Sequence, residues 1–297
     1  MLRTEFVIAT VLEVLDVLCR ESDLSPRNGI INSTLTHLVE TLAGTFEFLE
    51  EEYRAVLSDP RIEKARPLLL EKLSVAEAEM EKYWTDRFLA KDSLTTEYLK
   101  EFWYWSCYES LVDLEMACLP PDAFEPGRGA AFIGAGALPL TAIILHLKTG
   151  MRVACIDNDP EACDKAEALI AKLGLSDAMP VIRAAGEYLD YDDYGTVFVA
   201  SLVPDAAKKK IIDIIADSPN PVFTAVRSAE RLHTLLYEPF EPAGRDMEGH
   251  KFFTKTLHNP ATINTTLFYR NAAEIADLRR IQPAVCACKP LRPLTLS

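Results

Sequence analysis

The chain has 297 residues, enough for two domains or for one α/β domain with a helical extension. Hydrophobic residues make up 49% and charged residues 26%, a balance that excludes a disordered chain and lets a sizeable core form without disulfide staples. The net charge of -14 argues against nonspecific nucleic-acid binding, which needs a basic surface, and suits cationic or zwitterionic small molecules.

Taken in chain order, Val7, Val11, Leu12, Leu15 and Leu18 form a helical stripe. Glu5, Glu13 and Asp16 interrupt it, which a signal h-region tolerates poorly. No run of about 20 uncharged apolar residues occurs, so no membrane span is expected. Pro26 and the turn at Arg27-Asn28-Gly29 end the first helix. A second apolar pattern runs from Ile30 to Leu42. A long helix is expected from about Ile62 to Leu89, with Leu69, Leu73, Ala76, Met80 and Trp84 at spacings of three and four. Another should span about Thr95 to Cys118. Leu119-Pro120-Pro121 closes this helical region, giving an all-helical domain over residues 1–120.

The character then changes. Ala130 to Ile133, Met151 to Ile156, Met179 to Ile182, Thr196 to Ala200 and Val222 to Val226 read as strands. Helices at about Leu138–Leu147, Pro160–Leu173 and Ala206–Ala216 separate them. Strands alternating with helices predict a parallel sheet with right-handed crossovers, a Rossmann-like α/β domain over residues 121–283. A tail at 284–297 is expected to be loosely ordered. The seven cysteines include Cys286 and Cys288 in that tail but no CxxC pair. Neither a disulfide framework nor a metal site is indicated, and a reducing, cytoplasmic compartment is expected.

Gly134-Ala135-Gly136 follows a strand and opens a helix, the context in which a short glycine motif carries meaning. Pro139 stands where the third glycine of GxGxxG would be, which disfavours a pyrophosphate and hence a nicotinamide dehydrogenase. Asp157 ends the next strand, with Asn158 beside it. A carboxylate there can accept hydrogen bonds from both ribose hydroxyls of an adenosine. Glycine turn plus strand-end acid fits an adenosine, and the missing glycine tilts the choice to S-adenosylmethionine. Alternatively, Asp157 caps the next helix together with Asp159.

Several segments then become specific. Phe132-Ile133-Gly134-Ala135-Gly136-Ala137-Leu138-Pro139-Leu140-Thr141 resembles the glycine loop of nicotianamine synthases, a pattern close to GxGPLPLT. Phe102 to Tyr108 is similar to that family's FPYYxNY segment. Arg227-Ser228-Ala229 with Leu235-Leu236-Tyr237 resembles its RSAxGxRxFLY segment, and His258-Asn259-Pro260 with Ile263-Asn264 its HPxxxxIN ending. Ala76 to Glu81 is similar to an AEGLLE stretch. The matches are collinear over about residues 30–270. Trp103, Cys107 and Ala137 depart from the pattern, and Gly186-Glu187 falls where this cofactor fold often places an aspartate, which puts the adenine contact there in doubt.

The resemblance implies a class I methyltransferase-type cofactor domain behind a helical domain that holds the acceptor site and acts as a lid. It also implies transfer of the 3-amino-3-carboxypropyl group of S-adenosylmethionine to an amino acid α-amine, giving a nicotianamine-like metallophore. Bacterial opine-metallophore synthases share the loop. It carries over Glu81 and Tyr108 as catalytic residues and Gly134, Ala135, Gly136, Leu138, Pro139, Asp157 and Asn158 as cofactor-binding. Arg227, Tyr237 and Glu77 become acceptor-binding residues.

Beside these roles stand structural readings. Glu77 and Glu81 share one side of a helix and can belong to a solvated acidic face. Tyr108 can be a core aromatic, as Tyr104 and Trp105 are expected to be. Arg227 ends a buried strand, where a guanidinium holds a carboxylate bidentately or forms a structural ion pair. Tyr237 can simply pack, and His258 reads as a loop histidine. Rival functions are a small-molecule methyltransferase and a non-catalytic cofactor-binding module. The acceptor (another aminobutyrate unit, histidine or glutamate), the number of additions before release and the oligomeric state, homodimer included, are left open.

Overall fold

A computed structural model of the chain describes residues 2–125, 127–240, 249–258 and 262–271. Five helices come first: α1 (Leu2–Arg20), α2 (Gly29–Ala43), α3 (Glu50–Leu57), α4 (Pro60–Leu89) and α5 (Trp105–Cys118). Local chemistry sets their starts. Asn28 Oδ1 accepts the Ile30 N–H at the head of α2, and Asp59 Oδ1 accepts the Arg61 N–H at the head of α4. Pro60 fills the first turn of α4, where its missing N–H has no partner to lose.

The N-terminal region differs from the sequence expectation in two places. The α3 helix was not anticipated, because Glu50-Glu51-Glu52 reads as polar and only Val56 is buried in it. The single helix expected over Thr95–Cys118 is broken. Thr96–Glu101 forms a 3-10 turn, the chain is extended at Phe102, and α5 starts at Trp105. Aromatic packing explains the break. Phe102 is buried with its ring 5.6 Å from Trp84, 5.9 Å from Tyr104 and 5.9 Å from Tyr108, while Trp103 meets Trp84 at 5.2 Å. One helical face cannot aim four neighbouring rings into the same cluster.

The rest alternates: β1 (Gly129–Ile133), α6 (Leu140–Thr149), β2 (Val153–Asp157), α7 (Pro160–Lys172), β3 (Val181–Arg183), β4 (Tyr194–Val199), α8 (Asp205–Ala216), β5 (Val222–Ser228), β6 (Lys251–Lys255) and β7 (Thr265–Asn271). The sheet order is β3-β2-β1-β4-β5-β7-β6. The first five strands pair in parallel, as expected. Strand β7 runs antiparallel to β5, and β6 antiparallel to β7, so the sheet is mixed rather than wholly parallel. These two strands escaped the sequence reading because buried polar residues, Thr265, Thr266 and Asn271, obscure the apolar pattern of β7. The chain order reverses between β1 and β4, so a crevice opens at their C-terminal ends.

Helix α4 belongs to two cores. Its first half buries Ile62, Leu69, Leu73 and Ala76 against α1 and α2 residues such as Val11, Leu38 and Leu42. Its second half buries Trp84 and Phe88 in the cluster that contains the sheet residues Phe132, Phe198 and Phe223. The opposite sheet face packs Ile133, Val197 and Val199 on Ile211, Ile212 and Ile215 of α8. Among the described residues no helix is long and apolar enough to cross a membrane. Pro283 and the Cys286/Cys288 tail lie outside the described residues, as do Asn259 and Pro260.

Asn271 closes the sheet at its base. Its Oδ1 accepts the Val222 N–H at 2.6 Å, and its Nδ2 faces the carbonyls of Ile215, Ser218 and Asn220 at 2.7, 3.2 and 3.1 Å. Asn271→Ala leaves these buried groups without a partner and should cost about 3 kcal/mol. Urea unfolding measures this, and a loss below about 1 kcal/mol would show that water replaces the amide.

Candidate functional site

The glycine turn is fixed from below and from the side. Gly134 and Ala135 donate their N–H groups to the Ile156 carbonyl at 2.9 and 3.1 Å, which anchors the loop on β2. Gly134 and Gly136 adopt φ of 76° and 68°, the left-handed region that glycine enters without strain. Asp157 Oδ2 accepts the Gly136 N–H at 2.8 Å, and Oδ1 accepts the Asp159 N–H at 3.0 Å. Asp159, not Asp157, caps α7, through the Glu161 N–H at 2.9 Å. An ionised carboxylate has about four acceptor positions, so Asp157 keeps two for a ligand.

Helix α4 lies across this turn. Glu81 Oε2 accepts the Ala137 N–H at 3.0 Å, while Thr85 Oγ1 donates to the Ala137 carbonyl at 2.9 Å. Lys82 adds an ion pair to Glu161 at 2.7 Å, Lys165 pairs with Asp86, and Lys172 Nζ donates to the Leu89 carbonyl at 2.7 Å. The fit is close. A Cβ on Gly136 would fall 2.0 Å from Glu81 Oε2.

Two cavities adjoin here. One, about 300 Å³, is lined by Gly134, Gly136, Ala137, Asp157, Asn158 and the Ala184–Glu187 turn. The other, about 160 Å³, is lined by Tyr108, Ala135, Leu138, Arg227, Tyr237 and apolar residues of α2, α4 and α5. Glu77, Glu81, Gly134 and Leu202 border both. Every site residue expected from the sequence therefore borders one cavity or both, except Pro139. That proline stands at the N-terminus of α6, where its ring sets the start of the helix. The Gly186 turn, where an aspartate was missed, borders the larger cavity. Gly186 is buried there, and its carbonyl accepts the Tyr191 hydroxyl at 2.6 Å. A side chain at this position would press on Ile133.

Electrostatics divide these groups by role. Burial pushes the Glu81 carboxyl well above the usual carboxylate range, and the neighbouring Glu77 and Asp157 charges push the same way, against the N–H groups of Leu138 and Ala137. Glu77 is raised too, by burial, although the Tyr237 hydroxyl and Arg227 favour its ionised form. Tyr237 donates to Glu77 Oε2 at 2.9 Å. Burial and then Glu77 and Glu81 hold Tyr108 well above an ordinary phenol, so it remains a neutral donor. The surface that Glu77, Glu81 and Tyr108 retain borders the cavities, whose walls are protein.

Arg227 forms the structural ion pair that its sequence position allowed. Its Nε and Nη2 donate to Glu115 at 2.9 and 3.0 Å, and Thr266 Oγ1 donates to the same carboxylate at 2.8 Å. Burial opposes the guanidinium charge, and Glu115 more than offsets it. Removing either partner strands a buried charge, a loss of about 3–5 kcal/mol. The remaining N–H groups of Arg227 are the ones available to the smaller cavity, which it lines. Glu115 escaped the sequence reading, yet it stands four residues after Leu111 and three before Cys118, on the buried face of α5.

Lys208 was missed as well. It is fully buried, and its Nζ donates to the carbonyls of Ser201 and Arg227, both at 3.1 Å. Burial lowers its pKa to about 8, although Asp205 and Glu238 favour the cation. No sequence pattern marks it, because Lys208-Lys209-Lys210 reads as a solvated run. Tyr104, expected in the core, borders the smaller cavity, whereas Trp105 is buried. His258 borders neither cavity. It stacks on Phe46 and meets His233 edge-on, and burial lowers its pKa. Among the described residues no group of three or more His, Cys, Asp or Glu is placed to hold a metal ion.

Comparison with known proteins gives this arrangement a family. The family model "Nicotianamine synthase protein" matches residues 2–276. The nicotianamine synthase of Solanum lycopersicum is 27% identical, over 95% of this chain and 90% of that protein. The L-histidine 2-aminobutanoyltransferase of Yersinia pestis is 31% identical, over 52% of this chain and 55% of that protein. The fold matches the crystal structure of MtNAS in complex with MTA and tNA at a TM-score of 0.73 and 22% identity, covering 90% of this chain and 97% of that one. The chain belongs to the nicotianamine synthase family.

Proposed function

We propose that the chain transfers the 3-amino-3-carboxypropyl group of S-adenosylmethionine to the α-amine of an amino acid and releases methylthioadenosine. One observation carries the reading: two cavities, one lined by the glycine turn and Asp157 and the other by Arg227 and Tyr108, meet at Glu77 and Glu81. The larger cavity suits the nucleoside. Asp157 retains acceptor positions for the ribose hydroxyls, Asn158 borders the same space, and the Gly134–Gly136 turn admits a close approach of the ligand to backbone. Ala135 and Leu138, from the same loop, wall the smaller cavity.

The sulfonium supplies an electrophilic carbon and a good leaving group; the protein has to present the amine. An α-amine is protonated near neutral pH and must lose a proton before it can attack. Glu81, whose carboxyl burial raises well above the usual carboxylate range, is the general base of this reading. Tyr108, kept neutral, orients the amine by hydrogen bonding. Glu77, one turn before Glu81 on α4, and Tyr237, which donates to it, hold the acceptor. Arg227 draws carboxylates to the sheet edge. Positioning within this pair of cavities selects the three-carbon arm over the methyl group. A product built this way carries several amines and carboxylates, the donor set of a metallophore, and a cytoplasmic location fits its free cysteines.

Glu81→Gln should lower kcat for methylthioadenosine release about 10²- to 10³-fold while cofactor affinity stays within about threefold, because the amide oxygen still accepts the Ala137 N–H. Chromatography of the products and calorimetry of cofactor binding measure the two. S-adenosylhomocysteine and a methylated acceptor in place of methylthioadenosine would sink the reading. Because the base is the ionised form of a group with a raised pKa, turnover should rise with pH above the usual carboxylate range. The part of that limb set by Glu81 should be lost in Glu81→Gln, leaving the rise from the amine's own deprotonation at higher pH. Gly136→Ala should weaken cofactor binding about 10-fold or more with the fold intact by circular dichroism, since the methyl displaces Glu81 and strains a positive φ. Unchanged affinity would separate the turn from the cofactor.

A further inference from the structure

We infer that Lys208, which no step of the transfer uses, is a positioning residue for it: its ammonium ties the loop after β4 to the end of β5 and so sets how the two cavities meet. The inference rests on the transfer reading above.

The place of Lys208 in the fold asks for an apolar side chain. It stands first in the stripe Lys208, Ile211, Ile212 and Ile215 that α8 buries against the sheet, and it is fully buried. Burying a charge there is unfavourable unless its head group is well partnered. The partners lie at the C-terminal edge of the sheet. Nζ donates to the Ser201 and Arg227 carbonyls, both at 3.1 Å, and lies 5.9 Å from the centre of the Phe240 ring. The paired residues of β4 and β5 end at Val199 and Val226. Lys208 therefore continues the link between the two segments beyond the last strand pair, from a helix below them.

Both segments belong to the cavity walls. The loop after β4 packs on the glycine turn, since a Cβ on Gly134 would fall 2.9 Å from Val203 and 3.0 Å from Ala200. Leu202 of that loop borders both cavities. Ser201 borders the smaller one, and its Oγ accepts the Asn264 Nδ2 at 2.6 Å, so a third lining segment follows it. Glu115 fixes the Arg227 side chain, and Lys208 fixes its backbone. A shift of Ser201 or Arg227 changes the approach of the amine to the three-carbon arm, and a misplacement of about 1 Å costs on the order of 100-fold in rate. The cofactor turn is held separately, by β2, Asp157 and Glu81. Losing Lys208 should therefore slow transfer and leave cofactor binding in place.

The test compares the full chain with Lys208→Met, which keeps the length and the apolar stripe but removes the donors. Each is incubated with S-adenosylmethionine, alone and with an equimolar mixture of the twenty common amino acids. Chromatography gives the maximal rate of methylthioadenosine release, and calorimetry gives cofactor affinity and the number of binding sites. Expected is a rate per binding site lower by about 30-fold or more, with the cofactor Kd within about threefold. Lys208→Arg, which keeps a cation with donors, should be faster than Lys208→Met by about fivefold or more. A rate in Lys208→Met within about threefold of the unsubstituted chain, equal losses of rate and affinity, or no recovery in Lys208→Arg would overturn the inference. If Lys208→Met does not fold by circular dichroism, Lys208→Gln is held to the same limits; failure of both to fold would make Lys208 a determinant of the fold alone and equally overturn it. The unsubstituted chain separates the two readings. Without methylthioadenosine from it in either incubation, the transfer reading fails and takes this inference with it; with release there but no effect of the variants, the role of Lys208 alone fails.

Discussion

Glu81 and Thr85, one turn apart on α4, hold the backbone N–H and the carbonyl of Ala137. The rest of the cleft follows from that clamp. Glycine loops have no side chains of their own, so their position depends on which groups take their N–H and carbonyl groups. Here β2 takes the N–H groups of Gly134 and Ala135, Asp157 takes that of Gly136, and α4 takes Ala137. A neutral buried bond such as Thr85 to Ala137 contributes about 1 kcal/mol, and leaving either group unpaired costs more. Helix and loop therefore move as one piece. That piece extends further, because α4 is embedded in both hydrophobic cores.

The clamp also explains why a carboxyl group is held where it is costly. Glu81 is surrounded by protein, faces Glu77 and Asp157, and is compensated only by loop N–H groups. The sheet edge is arranged the other way. Arg227, Glu115 and Thr266 form a satisfied network that keeps a positive group rigid at the mouth of β5, and Lys208 braces the Ser201 and Arg227 backbone from beneath. A carboxyl group with a raised pKa thus lies on one wall of the cleft and a fixed guanidinium on the other.

Much of the fold was legible because its signals are local. The break at Pro26 to Gly29, the proline that opens α7 at Pro160 and the apolar stripe of α4 mark helices through contacts within a few residues. The glycine turn and Asp157 were legible for the same reason, since a strand, a tight turn and a strand-end acid recur within one βα unit. Strands β6 and β7 were not, because their buried threonines are satisfied by partners far along the chain, as Thr266 is by Glu115. The break at Phe102 depends on Trp84, which no local rule connects to it.

The sequence alone determined the helical region, the alternating strands and helices, and the residue types of the glycine turn with its acid, since each is governed by neighbouring backbone and side-chain chemistry. Whether Glu77 and Glu81 faced water or a cavity, whether Arg227 was free or paired, and that Lys208 was a buried brace were decided by tertiary structure. Burial and partner distance set the charge and role of an ionisable group, and both come from chain segments up to a hundred or more residues apart, as with Glu115 and Arg227.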